Sequence, residues 1–174
     1  MVNARTAPSW RLFLAVWPGG AVREALAGWQ RAWTWPPGAA LVPSDRLHLT
    51  LHFLGTVPVE QLAALTAGLR VPFEPFELAF GHAELWPGGT AVVRPDATPP
   101  ALLDLHGRLA AALAWLDRPV ESRRYKAHVT LARRAIGAAP PKAHPKFIWR
   151  ADAGFALVRS LPERAGYEVL ARFS

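Results

Sequence analysis

The sequence predicts an α+β protein built from two similar lobes, and three observations carry that expectation. Runs with strand periodicity and runs with helical periodicity are mixed along the 174 residues. Tight Gly/Pro breaks between strand-like runs point to antiparallel hairpins rather than parallel crossovers. A small polar pattern, His-x-Thr-Leu, occurs at residues 48–51 and again at 128–131. That echo divides the chain near its middle, which suggests paired lobes and not a tandem solenoid.

The elements follow in order. "WRLFLAVWP" (10–18) reads as a buried strand that Pro18 ends. In "GGAVREALAGWQRAW" (19–33), Val22, Leu26, Trp29 and Trp33 fall at helical spacing and predict an amphipathic helix. Residues 34–45 are rich in Pro and Gly and serve as a connection to the first motif strand. Residues 58–70 predict a second helix, and 76–95 two strands around a turn at Pro87-Gly88-Gly89. Residues 100–116 give the clearest helix, with Leu102, Leu105, Leu109, Leu113 and Leu116 on one face. The second motif strand is expected at 126–134, followed by a Pro/Lys-rich loop (138–146) and strand-like runs at 147–161 and 167–174. No stretch resembles an inter-domain linker, so residues 1–174 are expected to form a single two-lobed domain.

Composition narrows the classes. Apolar residues make up 51% and charged residues 19%, enough for a sizeable core and against wholesale disorder. No apolar run approaches the ~20 residues that cross a bilayer. "LFLAVW" (12–17) is short, meets Pro18 at once and has strand periodicity, so secretion is not expected. With no cysteine there are no disulfides, thiolate metal sites or cysteine nucleophile, and a cytoplasmic protein is expected. The net charge of +7 comes mostly from arginine, whose planar fork suits phosphate. An anionic partner such as RNA and a GC-rich genome explain that bias equally well, so charge alone decides nothing.

The repeated pattern says more. In "LHLTLHF" (47–53) strict alternation puts Leu47, Leu49, Leu51 and Phe53 on one face and His48, Thr50 and His52 on the other. "HVTLAR" (128–133) repeats this, with Val129 and Leu131 inward and His128 and Thr130 outward. Two such strands facing one another would line a cleft with two histidines and two threonines. Histidine titrates near neutrality, so one imidazole can accept a proton while the other donates one. Threonine hydroxyls can hold phosphoryl oxygens as charge builds. The matching chemistry is attack of water or a hydroxyl on a phosphodiester, with no metal or other cofactor required. His48 and His52 do not form a zinc pair, because i,i+4 residues on an extended strand stand about 13 Å apart.

At these residues the chain resembles the two-histidine phosphoesterase superfamily, and within it the bacterial and archaeal RNA 2',3'-cyclic phosphodiesterases, the LigT-like 2'-5' RNA ligase family. "RLFLAVWPGGAVREAL", "LVPSDRLHLTLHFLG", "HVTLAR" and "LVRSLPERAGYEVL" carry the likeness over nearly the whole chain, with Ser160, Gly166 and Tyr167 in the expected places. The family often has proline before the second motif histidine, where this chain has Ala127. The resemblance implies a bilobal fold, with two antiparallel sheets facing across a central groove and helices packed outside. It implies that terminal 2',3'-cyclic phosphates of RNA are opened to 2'-phosphomonoesters. His48 would be the proton donor and His128 the proton acceptor, a division that the symmetric pattern itself does not make. Thr50 and Thr130 would anchor the phosphate, with Arg133 as an added contact. Strict alternation sends Arg133 to Val129's face and leaves Arg134 in phase with His128, unless a bulge intervenes.

His52, in phase with His48, is a candidate groove contact, with a solvated strand residue as the alternative. Phe53 belongs to the apolar face. Trp35, Trp86 and Trp149 are candidates for stacking on bases, while Trp10, Trp17, Trp29, Trp33 and Trp115 fit core or helix-face positions. His82 and His106 are expected to be structural, and His144 to lie in a solvated loop. The partner implied is RNA ending in a 2',3'-cyclic phosphate, bound by a monomer away from membranes. Two other functions use the same residues: reversible 2'-5' RNA ligation, and a non-catalytic RNA-binding module. A matched histidine pair argues against the last, since binding alone does not require it.

Overall fold

A computed structural model describes residues 8–174 of the chain. Its elements in order are β1 (Ser9–Val16), α1 (Gly20–Ala32), β2 (Ala40–Leu41), β3 (Leu49–Pro58), α2 (Leu62–Gly68), β4 (Phe76–Trp86), β5 (Thr90–Pro95), α3 (Pro100–Trp115), β6 (Val129–Arg133), β7 (Phe147–Ala151), β8 (Phe155–Ser160) and β9 (Tyr167–Phe173). The expected α+β order is present. The second helix starts later than its periodicity suggests, because β3 continues to Pro58 in register with Ser9 of β1. In α3, Leu102, Leu105, Leu109 and Leu113 are the buried stripe, and Pro100 opens the helix where a missing N–H costs nothing. Among the described residues no helix is long and apolar enough to cross a membrane.

The strands form one curled antiparallel sheet in the order β7-β4-β5-β6-β3-β1-β8-β9, with β2 beside β6. It falls into two matched halves, β3-β1-β8-β9 and β6-β5-β4-β7, so the two facing sheets are joined along a seam. That seam is thin: β3 and β6 pair only at Leu49 and Val129. The helices lock it from behind by crossing over. α1, which precedes β3, packs on β6 and β7 of the other half, and α3, which precedes β6, packs on β3. Most buried side chains consequently form one large cluster, in which Leu14 and Leu51 from one half join Leu78 and Leu131 from the other, while Phe13, Ala15, Ala156 and Val158 make a small second cluster. Each such leucine contributes roughly 1.5–3 kcal/mol through burial.

Two β-bulges set the faces of the motif strands. Against β1, Leu49 and Thr50 pair with Val16 and Ala15, but the next register partner, Leu14, meets His52, so Leu51 is an extra residue. Against β5, Val129 and Thr130 pair with Val93 and Val92, and Ala91 meets Ala132, so Leu131 is extra. After each bulge the alternation reverses. Leu51 and His52 both point inward, as do Leu131 and Ala132.

The reversal corrects two expectations. His52 does not line the groove: it is 4% exposed, its Nε2 lies 2.9 Å from the His106 carbonyl oxygen, and its ring stacks on His106 at 3.9 Å. Phe53 is not core: it is 66% exposed and projects on the face that carries Phe13. Two tryptophans also differ. Trp149 is buried and stacks on Phe80, out of reach of any base, and Trp115 at the end of α3 is exposed. Trp35 packs flat on Trp33 and donates Nε1–H to the Gln30 carbonyl.

Candidate active site

His48 and His128 each sit one residue before their strand begins, at the seam where β3 meets β6. Their local environments repeat. Nδ1 of His48 lies 2.7 Å from the Arg46 carbonyl oxygen, and Nδ1 of His128 lies 2.7 Å from that of Lys126. A carbonyl has no proton to give, so each ring carries its hydrogen on Nδ1 and leaves the Nε2 lone pair for chemistry. Nε2 of His48 is 3.1 Å from Thr50 Oγ1. A neutral His48 therefore accepts the threonine hydroxyl hydrogen, and a protonated one donates to it. Thr130 and Thr50 are both half-buried, at equivalent places on the two strands.

The surroundings of the two rings differ. His48 lies in an aromatic nest: Trp17 stacks on it at 4.8 Å, Phe13 at 5.0 Å, and Tyr167 meets it edge-on at 5.4 Å. Burial in that nest is the main force pulling its pKa down, to about 4, with the Arg46 carbonyl opposing and the charges of His128 and Arg133 adding to the fall. Among the described residues His128 has one aromatic neighbour, Trp86, at 4.5 Å. Trp86 is held by an Nε1–H donated to Glu84 at 2.7 Å, and Glu84 is ion-paired with Arg94. The His128 pKa is also lowered, first by burial and then by Arg133 and Arg94, against the Lys126 carbonyl.

Arg133 is exposed, and its charge acts on both histidines, which puts it on their side of the sheet. The Leu131 bulge is the physical reason, since without it alternation would turn Arg133 inward. Arg134 has left the strand with φ 51°. The sequence brought forward His48, Thr50, His128, Thr130, Arg133 and Trp86, and all of them stand along this seam. It overlooked the nest residues Phe13 and Trp17, and the Glu84–Arg94 pair. Phe13 and Trp17 were findable in part, because they alternate with Leu12, Leu14 and Val16 on a strand whose inner face is plain. The part of Tyr167 was unreadable, because it rests on β9 folding back beside β8.

A curled antiparallel sheet with matched His-x-Thr strands meeting at its middle is the architecture of the two-histidine phosphoesterases. The chain belongs to the 2'-5' RNA ligase superfamily, which it matches over residues 21–160. It is 36% identical to an RNA 2',3'-cyclic phosphodiesterase of Escherichia coli (strain K12), over 80% of each chain. It is 34% identical to the protein of that name from Thermus thermophilus, over 94% of this chain and 89% of the relative. Among solved structures, E. coli LigT complexed with 3'-AMP superimposes with a TM-score of 0.80 at 27% identity, covering 95% of this chain and 97% of that one.

Proposed function

We propose that the chain is an RNA 2',3'-cyclic phosphodiesterase that opens a terminal 2',3'-cyclic phosphate to a 2'-phosphomonoester. The observation that carries this is the pair of histidines fixed in the same tautomer, each with Nε2 turned away from its backbone anchor. His128 Nε2 accepts a proton from water as the water oxygen bonds to phosphorus. The bond from phosphorus to the 3' oxygen breaks, and that oxygen takes the proton from His48 Nε2. Thr50, Thr130 and Arg133 hold the non-bridging oxygens as charge builds on them. Burial on its own leaves His48 short of a proton. The negative charge of the bound diester opposes that effect and favours the protonated acid. After turnover the proton on His128 exchanges through solvent, which restores the pair.

The names of the relatives support RNA as the substrate class, and the arginine-rich net charge of +7 suits it. A cysteine-free chain fits a reducing cytoplasm, and a monomer carries both histidines on one sheet. The test is a short RNA ending in 2',3'-cyclic phosphate, incubated in EDTA, with the product resolved as 2'- or 3'-phosphate. Wild type should yield the 2'-phosphate, and His48→Ala and His128→Ala should each lower kcat by about 10²- to 10⁴-fold. Ring opening that survives both substitutions would remove the acid–base pair from the mechanism.

A further inference from the structure

The short 3₁₀ turn at Ser44–Arg46 leads into His48 and also touches the rings around it. The Arg46 carbonyl oxygen anchors His48 Nδ1, and the neighbouring Asp45 carbonyl oxygen accepts Nε1–H of Trp17 at 3.3 Å. The Arg46 side chain reaches a third place, 119 residues further along the chain, where its Nη2 donates to the Ala165 carbonyl oxygen at 3.5 Å. A methyl group on Gly166 would lie 3.2 Å from Nη2, 3.3 Å from Cζ and 3.5 Å from Nε, so the guanidinium rests on the bare Cα of that glycine. Gly166 has φ 121°, a conformation that favours glycine in any case. The Leu161 N–H closes this turn on the Gly166 carbonyl at 2.9 Å, and the next residue is Tyr167. Tyr167 opens β9, the edge strand beside β8. At 38% exposed it is held only weakly by its own burial. Its ring nevertheless meets His48 at 5.4 Å, Phe13 at 5.0 Å and Trp17 at 6.0 Å, edge-on in each case.

We infer that Arg46 is a positioning residue whose side chain clasps the 161–166 turn and thereby holds the Tyr167 ring against His48, while its carbonyl oxygen fixes the His48 tautomer. The catalytic consequence rests on the proposed cyclic phosphodiesterase activity. The other half has a looser counterpart. Lys126 stands two residues before His128, anchors that ring by its carbonyl, and acts by its charge on Glu84. Glu84 in turn accepts from Trp86, the ring beside His128. In each half the residue two before the histidine serves the imidazole through its backbone and the aromatic neighbour through its side chain. Arginine suits the first position, because a planar guanidinium can lie on a glycine and still donate to the adjoining carbonyl, whereas an ammonium is a compact point donor. Without the clasp, Tyr167 is free to leave the ring and water reaches His48, which relieves the burial that depresses its pKa.

The experiment follows the His48 ring by NMR in the ligand-free protein, in wild type, Arg46→Met, Arg46→Lys and Gly166→Ala, with a thermal melt of each. Arg46 is half-buried and outside the core cluster, so its variants should fold. Wild type should show a nuclear Overhauser contact between the Tyr167 and His48 rings. In Arg46→Met that contact should disappear, and the His48 titration midpoint should rise by about one pH unit while that of His52 stays put. The charges that act on His48 are those of His128 and Arg133, which the variant leaves in place. Arg46→Lys keeps its own charge and should give the same rise, which separates the clasp from a charge effect. Gly166→Ala displaces the guanidinium from the other side, and combining it with Arg46→Met should add little to either rise alone. On RNA ending in a 2',3'-cyclic phosphate, Arg46→Met should lower kcat by about tenfold. A Tyr167 contact and a His48 midpoint that Arg46→Met leaves unchanged, or fully additive rises in the double variant, would overturn the clasp. An unchanged kcat despite a released ring would overturn its catalytic part. A wild type that fails to open the cyclic phosphate, with the NMR changes as expected, would overturn the phosphodiesterase reading and leave the clasp standing.

Discussion

The Tyr125 hydroxyl donates to the Thr50 carbonyl oxygen at 2.9 Å, across 75 residues of sequence. This bond spans the seam at which β3 and β6 share a single register pair. Tyr125 stands next to Lys126, whose carbonyl anchors His128, and Thr50 contacts His48. One phenol therefore ties the backbone that sets one histidine to the strand that sets the other. The Tyr125 ring is itself braced, stacked on His106 at 4.2 Å. Tyr125→Phe keeps that stack and loses the bond. The expected result is a fall in kcat of about tenfold with KM within about twofold, since slight misplacement of catalytic groups is costly. Melting should move only a few degrees, as for one lost hydrogen bond. Steady-state kinetics beside a thermal melt separate this positioning role from a general loss of fold.

Acid should weaken the fold through its histidines. Burial lowers the pKa of His48 and His106 to about 4, and lowers those of His52 and His128 as well. In the unfolded chain all four titrate near 6.5. Between about pH 6.5 and 4 the unfolded state binds more protons than the folded state, so stability rises with pH across that window and is lost as pH falls. Urea midpoints measured from pH 8 to 4.5 should hold steady above about 7 and drop below 6.5. His106→Leu, which removes one of the four groups, should flatten the drop. A midpoint independent of pH over that range would contradict the depressed values.

Phosphate should reverse the shift at the site itself. A dianion beside His48 and His128 favours their charged forms, opposing the burial that depresses them. Imidazole resonances followed by NMR in saturating inorganic phosphate should titrate at higher pH than in its absence, by roughly one pH unit or more for His48. His52, walled off behind the strand, should be unmoved. An equal shift of all four would mean a general salt effect and no phosphate site.

Local pattern was a good guide to the elements and a poor one to the faces beyond each motif. Periodicity located α1, α3 and the 76–95 hairpin closely, because a leucine stripe or a Pro-Gly-Gly turn is written in adjacent residues. The His-x-Thr repeat was likewise complete in the sequence. Strict alternation, however, sent Phe53 inward and His52 outward, and left Arg133 undecided. A bulge is defined by the partner strand: Leu51 is extra only because Ala15 and Leu14 of β1 are consecutive partners of Thr50 and His52. The destination of His52 was equally remote, resting on His106 in a helix 54 residues away. The crossing of α1 and α3 to opposite halves left no local trace either.

The second bulge has its own support, and that support is testable. The Leu131 carbonyl oxygen accepts from the Val42 backbone N–H and from Gln30 Nε2, each at 2.8 Å, and the same amide nitrogen donates to the Val42 carbonyl. Gln30, 8% exposed in α1, thus holds the residue whose insertion turns Arg133 outward. Gln30→Met fills the same volume but leaves the Val42 carbonyl without this donor, a loss of about 1–3 kcal/mol. For a chain of this length that corresponds to a melting temperature lower by roughly 2–4 °C per kcal/mol. Gln30→Glu keeps the shape and replaces the donor by a carboxylate facing two carbonyl oxygens. It should destabilise more than methionine does, and more at pH 8 than at pH 5, where the carboxyl can take up a proton and donate. In both variants activity should fall further than in a surface control, because a relaxed bulge lets Arg133 swing away from the histidines. Full activity in a clearly destabilised Gln30→Met protein would show that the bulge holds without its amide, and that Gln30 serves the core alone.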